Sequence, residues 1–342
     1  MATRRTVLVT GASGFLGTHL ARALRARGDR VRAAYRRPEP PREIAALASD
    51  DFELFRVDLQ DAERVAGLVD GIDAVIHAAA LTSDWGPYDR FRVQNYDATV
   101  ALLEAARNAG AREFVYVSSA VVNGFGVHVD STEEGPYYPL RHPYQKTKRL
   151  AEDHVLAHDG PGFRTVAVRP GNVYGPGDHT STYPMFTAIL DGVFGYLGSG
   201  RAYTCPLYID DLVAGVLAAL DRQEVRGEPI LLTDGEKVPW KDYVEAMYDA
   251  VGSNRRPLRL PTPLAWAAAV AMTTAARVAR ARTAPALTLY RVEQASRHYH
   301  FSNEKAQRLL DFQPRVFFRE GLGLTAEAFL AERTRRTAGT DP

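Results

Sequence analysis

One cysteine, five lysines and no uncharged run long enough to cross a bilayer set the first bounds on this 342-residue chain. Cys205 alone cannot form an internal disulfide or a thiolate metal site. There is no Asn-x-Ser/Thr sequon, and a strand pattern begins almost at Met1 where a signal peptide would lie, so a reducing, cytoplasmic setting is expected. Neither charge sign is in excess: 42 basic residues face 41 acidic ones. That balance argues against electrostatic nucleic-acid binding as the main activity. The longest uncharged run, residues 260–276, contains Pro261 and Pro263, which leaves residues 264–276 as helix. A transmembrane span takes about 20 residues, so none is expected. A buried or pocket-lining helix is the first reading. A membrane-surface position, helped by Arg277, Arg280 and Arg282, is the second.

What is present is ordinary globular material, 46% hydrophobic and 24% charged. The length suggests about two structural units. Short apolar runs at 6–10, 30–35, 52–57, 73–77, 113–117 and 164–169 read as strands. Amphipathic stretches lie between them, including 15–27, 88–108 and 144–158. Strands alternating with helices predict an α/β fold, a Rossmann-type doubly wound parallel sheet covered on both faces. From about residue 175 glycine and proline become frequent and the strands lose phase. The expected division is a dinucleotide-binding domain over 1–175, with 202–232 returning to the core. A smaller, mostly helical substrate-binding region would cover 176–332. Frayed ends are expected at 1–5 and 333–342.

The first strand runs into Thr10-Gly-Ala-Ser-Gly-Phe-Leu-Gly17, and a helix follows. Gly11 permits the tight turn, Gly14 lets the backbone approach a pyrophosphate, and Gly17 lets helix and strand pack closely, with Ser13, Phe15 and Leu16 between them. The helix N-terminus presents free N–H groups to the phosphates. An NAD enzyme usually carries an acid at the end of the second strand. Here that end reads Ala34-Tyr-Arg-Arg-Pro38. A guanidinium pairs with a 2′-phosphate and a carboxylate repels it, so Arg36 points to NADP(H) over NAD(H). Asp58, followed by Leu59, can accept from an adenine amino group. Ala78, Ala79 and Ala80 leave room for a cofactor across the sheet.

In a chain that uses 37 Arg (42 less 5 Lys), a lysine is more than usually needed for its own chemistry. Lys148 stands four residues after Tyr144, on one helix face. A phenol near pKa 10 is a poor base at neutral pH, and a nearby ammonium lowers that value. A Tyr so tuned can give a proton to a carbonyl oxygen or take one from an alcohol. Ser119, at the end of the fifth strand, can hydrogen-bond the same oxygen, and Lys148 can also hold the ribose hydroxyls of a nicotinamide nucleotide.

Together these segments resemble the extended short-chain dehydrogenase/reductase superfamily over about the first 215 residues. The matching residues are the three glycines, Asp58, residues 77–80, Asn95, Ser119, Tyr144 and Lys148, residues 169–177, and Tyr208-Ile-Asp-Asp-Leu212. The resemblance implies a Ser119/Tyr144/Lys148 catalytic triad. It also implies that Pro170 and Val173 line the nicotinamide, Asn172 lies on the substrate side, and subunits pair as a homodimer through 88–108 and 144–158. Trp85-Gly-Pro-Tyr88 and residues 299–314 look like the 3β-hydroxysteroid dehydrogenase branch, which includes sterol-4-carboxylate 3-dehydrogenases and reductases of long-chain β-keto acids. Many steroid dehydrogenases carry an acid at the Tyr35 position, where this chain departs from them.

The expected activity is NADP(H)-dependent interconversion of a ketone and a secondary alcohol on a bulky apolar substrate (steroid-like, polyketide-like or a β-keto acid). Trp85, Tyr88 and residues 264–276 would supply the apolar pocket. The alternative is a nucleotide-sugar epimerase or dehydratase. Similar enzymes of that kind usually place an Arg shortly before Tyr208-Ile-Asp-Asp, where this chain has Tyr203-Thr-Cys-Pro206 and only Arg201 nearby. Asp210 and Asp211 read as helix N-cap and first-turn residues, Cys205 as packing, and the nine scattered histidines give no zinc pattern.

Overall fold

The computed structural model describes residues 5–337; residues 1–4 and 338–342, parts of the two ends expected to fray, lie outside it. Seven apolar segments form one sheet: β1 (Thr6–Thr10), β2 (Arg30–Tyr35), β3 (Phe52–Arg56), β4 (Ala74–His77), β5 (Glu113–Val117), β6 (Arg164–Pro170) and β7 (Glu228–Leu232). The spatial order is β7-β6-β5-β4-β1-β2-β3, and every pairing is parallel. β4 and β6 are buried along their whole length, as parallel strands covered on both faces must be. The chain reverses direction across the sheet between β1 and β4, and such a switch point leaves a crevice at the C-terminal strand ends.

Helix α1 (Phe15–Arg27) covers one face and ends on Gly28 in the left-handed region. It shares that face with α5 (Ile209–Asp221). The other face is covered by α2 (Ala62–Val69), α3 (Ala98–Asn108) and α4 (Pro143–Ala157). Residues 88–108 are not one regular helix. A four-residue turn leads into a π-helical segment at Arg92–Asp97, and only then does α3 begin. Asp210 and Asp211 both stand in the first turn of α5. The Asp211 carboxylate also accepts from the backbone of Arg315 and Val316 at 3.0 Å each, tying down a C-terminal loop.

Outside the large sheet the described residues build four small pairs. Asn172–Tyr174 pairs with Pro206–Tyr208, Tyr203–Thr204 with Val238–Pro239, Gly195–Leu197 with Leu258–Leu260, and His128–Ser131 with Tyr299–Phe301. The Phe318–Thr337 helix is ordered up to Thr337, where fraying from residue 333 was expected; Tyr183 and Phe186 pack against its Phe329. Helix α6 (Thr262–Val278) buries only Ala265, Ala269 and Thr273, which corrects the expectation of a buried helix. Three small residues spaced four apart make a narrow stripe, enough to seat the helix on α7 (Leu289–Ser296) and no more. No helix among the described residues is long and apolar enough to cross a membrane.

Candidate active site

The glycine-rich turn is shaped by contacts that a side chain would destroy. Gly11 has φ +68°, and a Cβ there would lie 2.8 Å from the Cα of Ala79. A Cβ on Gly17 would lie 2.1 Å from the Gly11 carbonyl oxygen, so α1 packs on the turn only because that atom is missing. The strand ends are knitted together behind it. His77 lies between two hydroxyls, Thr10 Oγ1 at 2.7 Å and Thr99 Oγ1 at 2.8 Å. Burial, reinforced by the charge of Lys148, pushes this imidazole down to about 3, so it stays neutral. Ala79 N donates to Thr10 Oγ1 at 3.2 Å.

A groove of about 480 Å³ runs along these strand ends. Gly11, Ser13, Gly14, Phe15, Leu16, Gly17, Arg36, Asp58, Leu59, Ala78, Ala79, Ala80, Ser119, Tyr144, Lys148, Pro170 and Val173 all line it. A groove floored by small residues, facing a helix N-terminus and rimmed by a guanidinium, suits a dinucleotide. Arg36 is exposed at the rim, its Nη1 3.4 Å from Gln94 Oε1. Asp58 Oδ1 accepts from Gln60 N at 3.1 Å.

Helix α4 carries Tyr144 and Lys148. Pro143 sits at its first position, and Gln145 Oε1 accepts from the backbone of Arg141 (3.2 Å) and His142 (3.3 Å), which fixes where the helix starts. Tyr144 and Ser119 both line the groove. Burial pushes the Tyr144 phenol up to about 12, and the nearby Ser119 hydroxyl only partly offsets this. The expected lowering of Tyr144 by Lys148 is absent from this geometry. Lys148 instead donates to the Val117 carbonyl at 2.5 Å, with its ammonium 4.1 Å from the Tyr116 ring centre. Burial pulls Lys148 down to about 7, against the opposing charge of Glu152 one turn further along α4.

Glu152 is part of an arrangement the sequence did not disclose. It is fully buried and holds Arg169 of β6 through both oxygens, at 2.9 Å to Nε and 2.6 Å to Nη2. Arg169 Nη1 also donates to Asn123 Oδ1 (3.1 Å) and the Glu133 carbonyl (3.2 Å). The carboxylate outweighs burial and keeps this guanidinium charged. Asn95, in the π-helical segment, clamps the loop after β4: its Oδ1 accepts from Leu81 N at 2.6 Å, and its Nδ2 reaches the Leu81 carbonyl (3.2 Å) and Thr147 Oγ1 of α4 (3.3 Å). A widened helix turn at such a place commonly marks a functional site.

The side of Tyr144 away from the groove differs from expectation. Trp85, Tyr88 and Asn172 are not among the groove-lining residues. Trp85 donates its indole N–H to the Ala281 carbonyl at 2.9 Å and braces its loop, while Tyr88 points outward. Asn172 has both amide ends in use, with Thr204 Oγ1 at 2.8 Å and Gln294 Nε2 at 2.9 Å. Tyr144 instead packs on an aromatic cluster that includes Phe125, Tyr290 and Tyr299, with Phe125 and Tyr290 edge-to-face at 4.8 Å. No local pattern marked Tyr290, which reaches the site from 146 positions further along the chain. Cys205 is buried, with its thiol pushed up by burial, and no metal-holding cluster occurs among the described residues.

Comparison with known proteins places this geometry. The model of the NAD dependent epimerase/dehydratase family matches residues 7–232. A 2-alkyl-3-oxoalkanoate reductase of Stenotrophomonas maltophilia is 30% identical over 92% of this chain and 97% of its own. A 3 beta-hydroxysteroid dehydrogenase/Delta 5-->4-isomerase of Mycobacterium tuberculosis is 31% identical, over 90% of this chain and 86% of its own. The solved structure of MoeE5 in complex with UDP-glucuronic acid and NAD is 27% identical, covers 97% of this chain and 99% of its own, and superposes with a TM-score of 0.75. The chain therefore belongs to the NAD dependent epimerase/dehydratase family, within the extended short-chain dehydrogenase/reductase superfamily, and is an oxidoreductase of its 3β-hydroxysteroid dehydrogenase-like branch.

Proposed function

We propose that this protein interconverts a ketone and a secondary alcohol on a bulky apolar substrate, using NADP(H), with Ser119, Tyr144 and Lys148 as its catalytic residues. The observation that carries this reading is that Ser119, Tyr144 and the buried Lys148 line the same groove as the glycine-rich turn, with an aromatic cluster packed against Tyr144. The nucleotide, when bound, supplies or accepts the hydride. Ser119 orients the substrate oxygen. A phenol held near 12 keeps its proton at neutral pH, yet is a stronger acid than the product alcohol, so proton donation from Tyr144 to the alkoxide formed when a ketone takes up hydride runs downhill. In the reverse direction Tyr144 must become a phenolate, and Lys148, one turn along the same helix face, would have to swing its ammonium from the Val117 carbonyl towards the phenol to stabilise that charge. Arg36 would pair the 2′-phosphate and Asp58 the adenine amino group.

A bulky apolar ketone suits the surroundings of Tyr144, which packs on the uncharged cluster of Phe125, Tyr290 and Tyr299. Such ketones also match the chemistry in the names of the Stenotrophomonas and Mycobacterium relatives. The second reading, a nucleotide-sugar epimerase or dehydratase, draws on the likeness to MoeE5. Against it, Thr204 is engaged by Asn172, and Arg201 lies in a separate cleft with Lys241 and Arg259. The deciding experiment follows NADPH absorbance with a panel of 2-alkyl-3-oxo acids and 3-oxosteroids, and with UDP- and dTDP-sugars. Consumption with an apolar ketone is the expected result. Turnover of a nucleotide sugar with no net change in NADPH would favour the second reading.

A further inference from the structure

The short helix α7 is tied by polar contacts to three segments that meet at the groove. Thr288 caps its N-terminus, accepting from Arg291 N at 3.2 Å, and donates to Asp84 Oδ2 at 2.7 Å. Arg291 reaches the same carboxylate at 2.7 Å. Glu293 accepts from Arg141 and His142, each at 2.8 Å. Gln294 Nε2 donates to Asn172 Oδ1 at 2.9 Å. Each of these segments contributes a groove-lining residue one or two positions away: Thr82 beside Asp84, Gly171 beside Asn172, and Tyr144 beside His142. A helix bound to all three bridges the end of the groove where Tyr144 stands.

Two residues of α7 hold one imidazole. Tyr290 and Glu293, three apart, share a helix face. Tyr290 meets the His142 ring edge-on, with centroids 5.1 Å apart, and packs, like Tyr144, on the cluster around Phe125. The Nε2–H of His142 donates to Glu293, because a carboxylate can only accept. His142 is the N-cap of α4, two residues before Tyr144. The Glu293 side chain is only 6% exposed. Burial would raise its carboxyl, but the bonds from His142 and Arg141 outweigh burial and hold it below the ordinary value. An apolar side chain would seat the helix without that desolvation cost. What a carboxylate held by two donors adds is register: it fixes where α7 sits along the start of α4, and so how far the Tyr290 ring stands from Tyr144.

We propose that Tyr290 is a specificity-determining residue that receives the apolar body of the substrate, and that Glu293 is the positioning residue that holds it in place. This inference rests on the ketone reduction assigned above. Glu293 touches neither substrate nor nucleotide; it acts through Tyr290 and His142.

The test follows NADPH consumption by the full chain and compares kcat/KM for a long-chain 2-alkyl-3-oxo acid with that for acetoacetate, which has no apolar body to reach Tyr290. Tyr290→Ala should lower the preference for the long-chain acid by at least about tenfold, and Tyr290→Phe, which keeps the ring, should hold it within about threefold. Glu293→Gln keeps the shape and removes the charge, and should lower the preference by at least about fivefold. The NADPH dissociation constant should stay within about threefold in all three. The double variant Tyr290→Ala, Glu293→Gln should lose no more than Tyr290→Ala alone, because Glu293 works through that ring; a Glu293 that only stabilised the fold would add a loss of its own. Amide hydrogen exchange, read without substrate, should quicken at least about fivefold over residues 289–296 in Glu293→Gln. A preference unmoved by Tyr290→Ala, additive losses in the double variant, or exchange unmoved by Glu293→Gln would overturn this inference alone. A parent protein that reduces no ketone would overturn the reading above and this inference with it.

Discussion

Replacing Glu152 with Gln would test the buried support of the active site. The substitution keeps the shape and removes the charge that faces Arg169. Breaking a buried ion pair from one side costs about 3–5 kcal/mol, because the remaining charge stays buried without its partner. Here Arg169 would keep Asn123 Oδ1 and the Glu133 carbonyl, so the lower end, about 3 kcal/mol, is expected. Against a typical stability of about 5–15 kcal/mol the variant should still fold. With an m-value of about 3 kcal/mol/M, its urea midpoint should fall by about 1 M. A second signature comes from Lys148, which burial pulls down to about 7 while Glu152 holds it up. Without that charge Lys148 drops further. The limb of kcat/KM for ketone reduction that falls as Lys148 deprotonates should then move to lower pH. The linkage has a definite sign. The folded value lies below the ordinary 10.5, so the unfolded chain binds more protons between the two values, and this group makes the protein more stable as pH rises from about 7 towards 10.5. In Glu152→Gln that window opens at a lower pH. A midpoint within about 0.2 M of the parent, together with an unmoved limb, would refute the coupling.

Tyr144→Phe should lower kcat by about 10²–10⁴, the usual worth of a positioned acid, and leave the NADPH dissociation constant within about threefold; comparable losses in both would make the phenol structural. Arg36→Asp should weaken NADPH binding by at least about tenfold and turn the preference towards NADH, measured by fluorescence titration with both nucleotides. An unchanged ratio would remove the NADP(H) assignment.

Much of the fold and of the site is written locally in the chain. Uninterrupted apolar runs such as 164–169 announce strands buried on both faces, and their alternation with amphipathic helices forces parallel crossovers. The turn from Gly11 to Gly17 and the Tyr144/Lys148 spacing are short-range features, because a tight turn and one helix face are settled within a few residues. These were enough to pick out residues that line one groove, Tyr144 and Lys148 among them. Tertiary structure alone decided the electrostatics and the far wall. Whether a phenol sits above or below pH 10 depends on how much water surrounds it, and the fold withdraws Tyr144 from much of it. Likewise Lys148 turns to Val117 because β5 and α4 bring that carbonyl within reach. Glu152 meets Arg169, and Tyr290 meets Phe125, across 17 and 165 positions of chain, distances over which no sequence period carries information. Nor could composition say that α6 lies outside: an uncharged helix reads the same whether its apolar face is covered by protein or left bare, and that choice is made by what the rest of the chain packs against it.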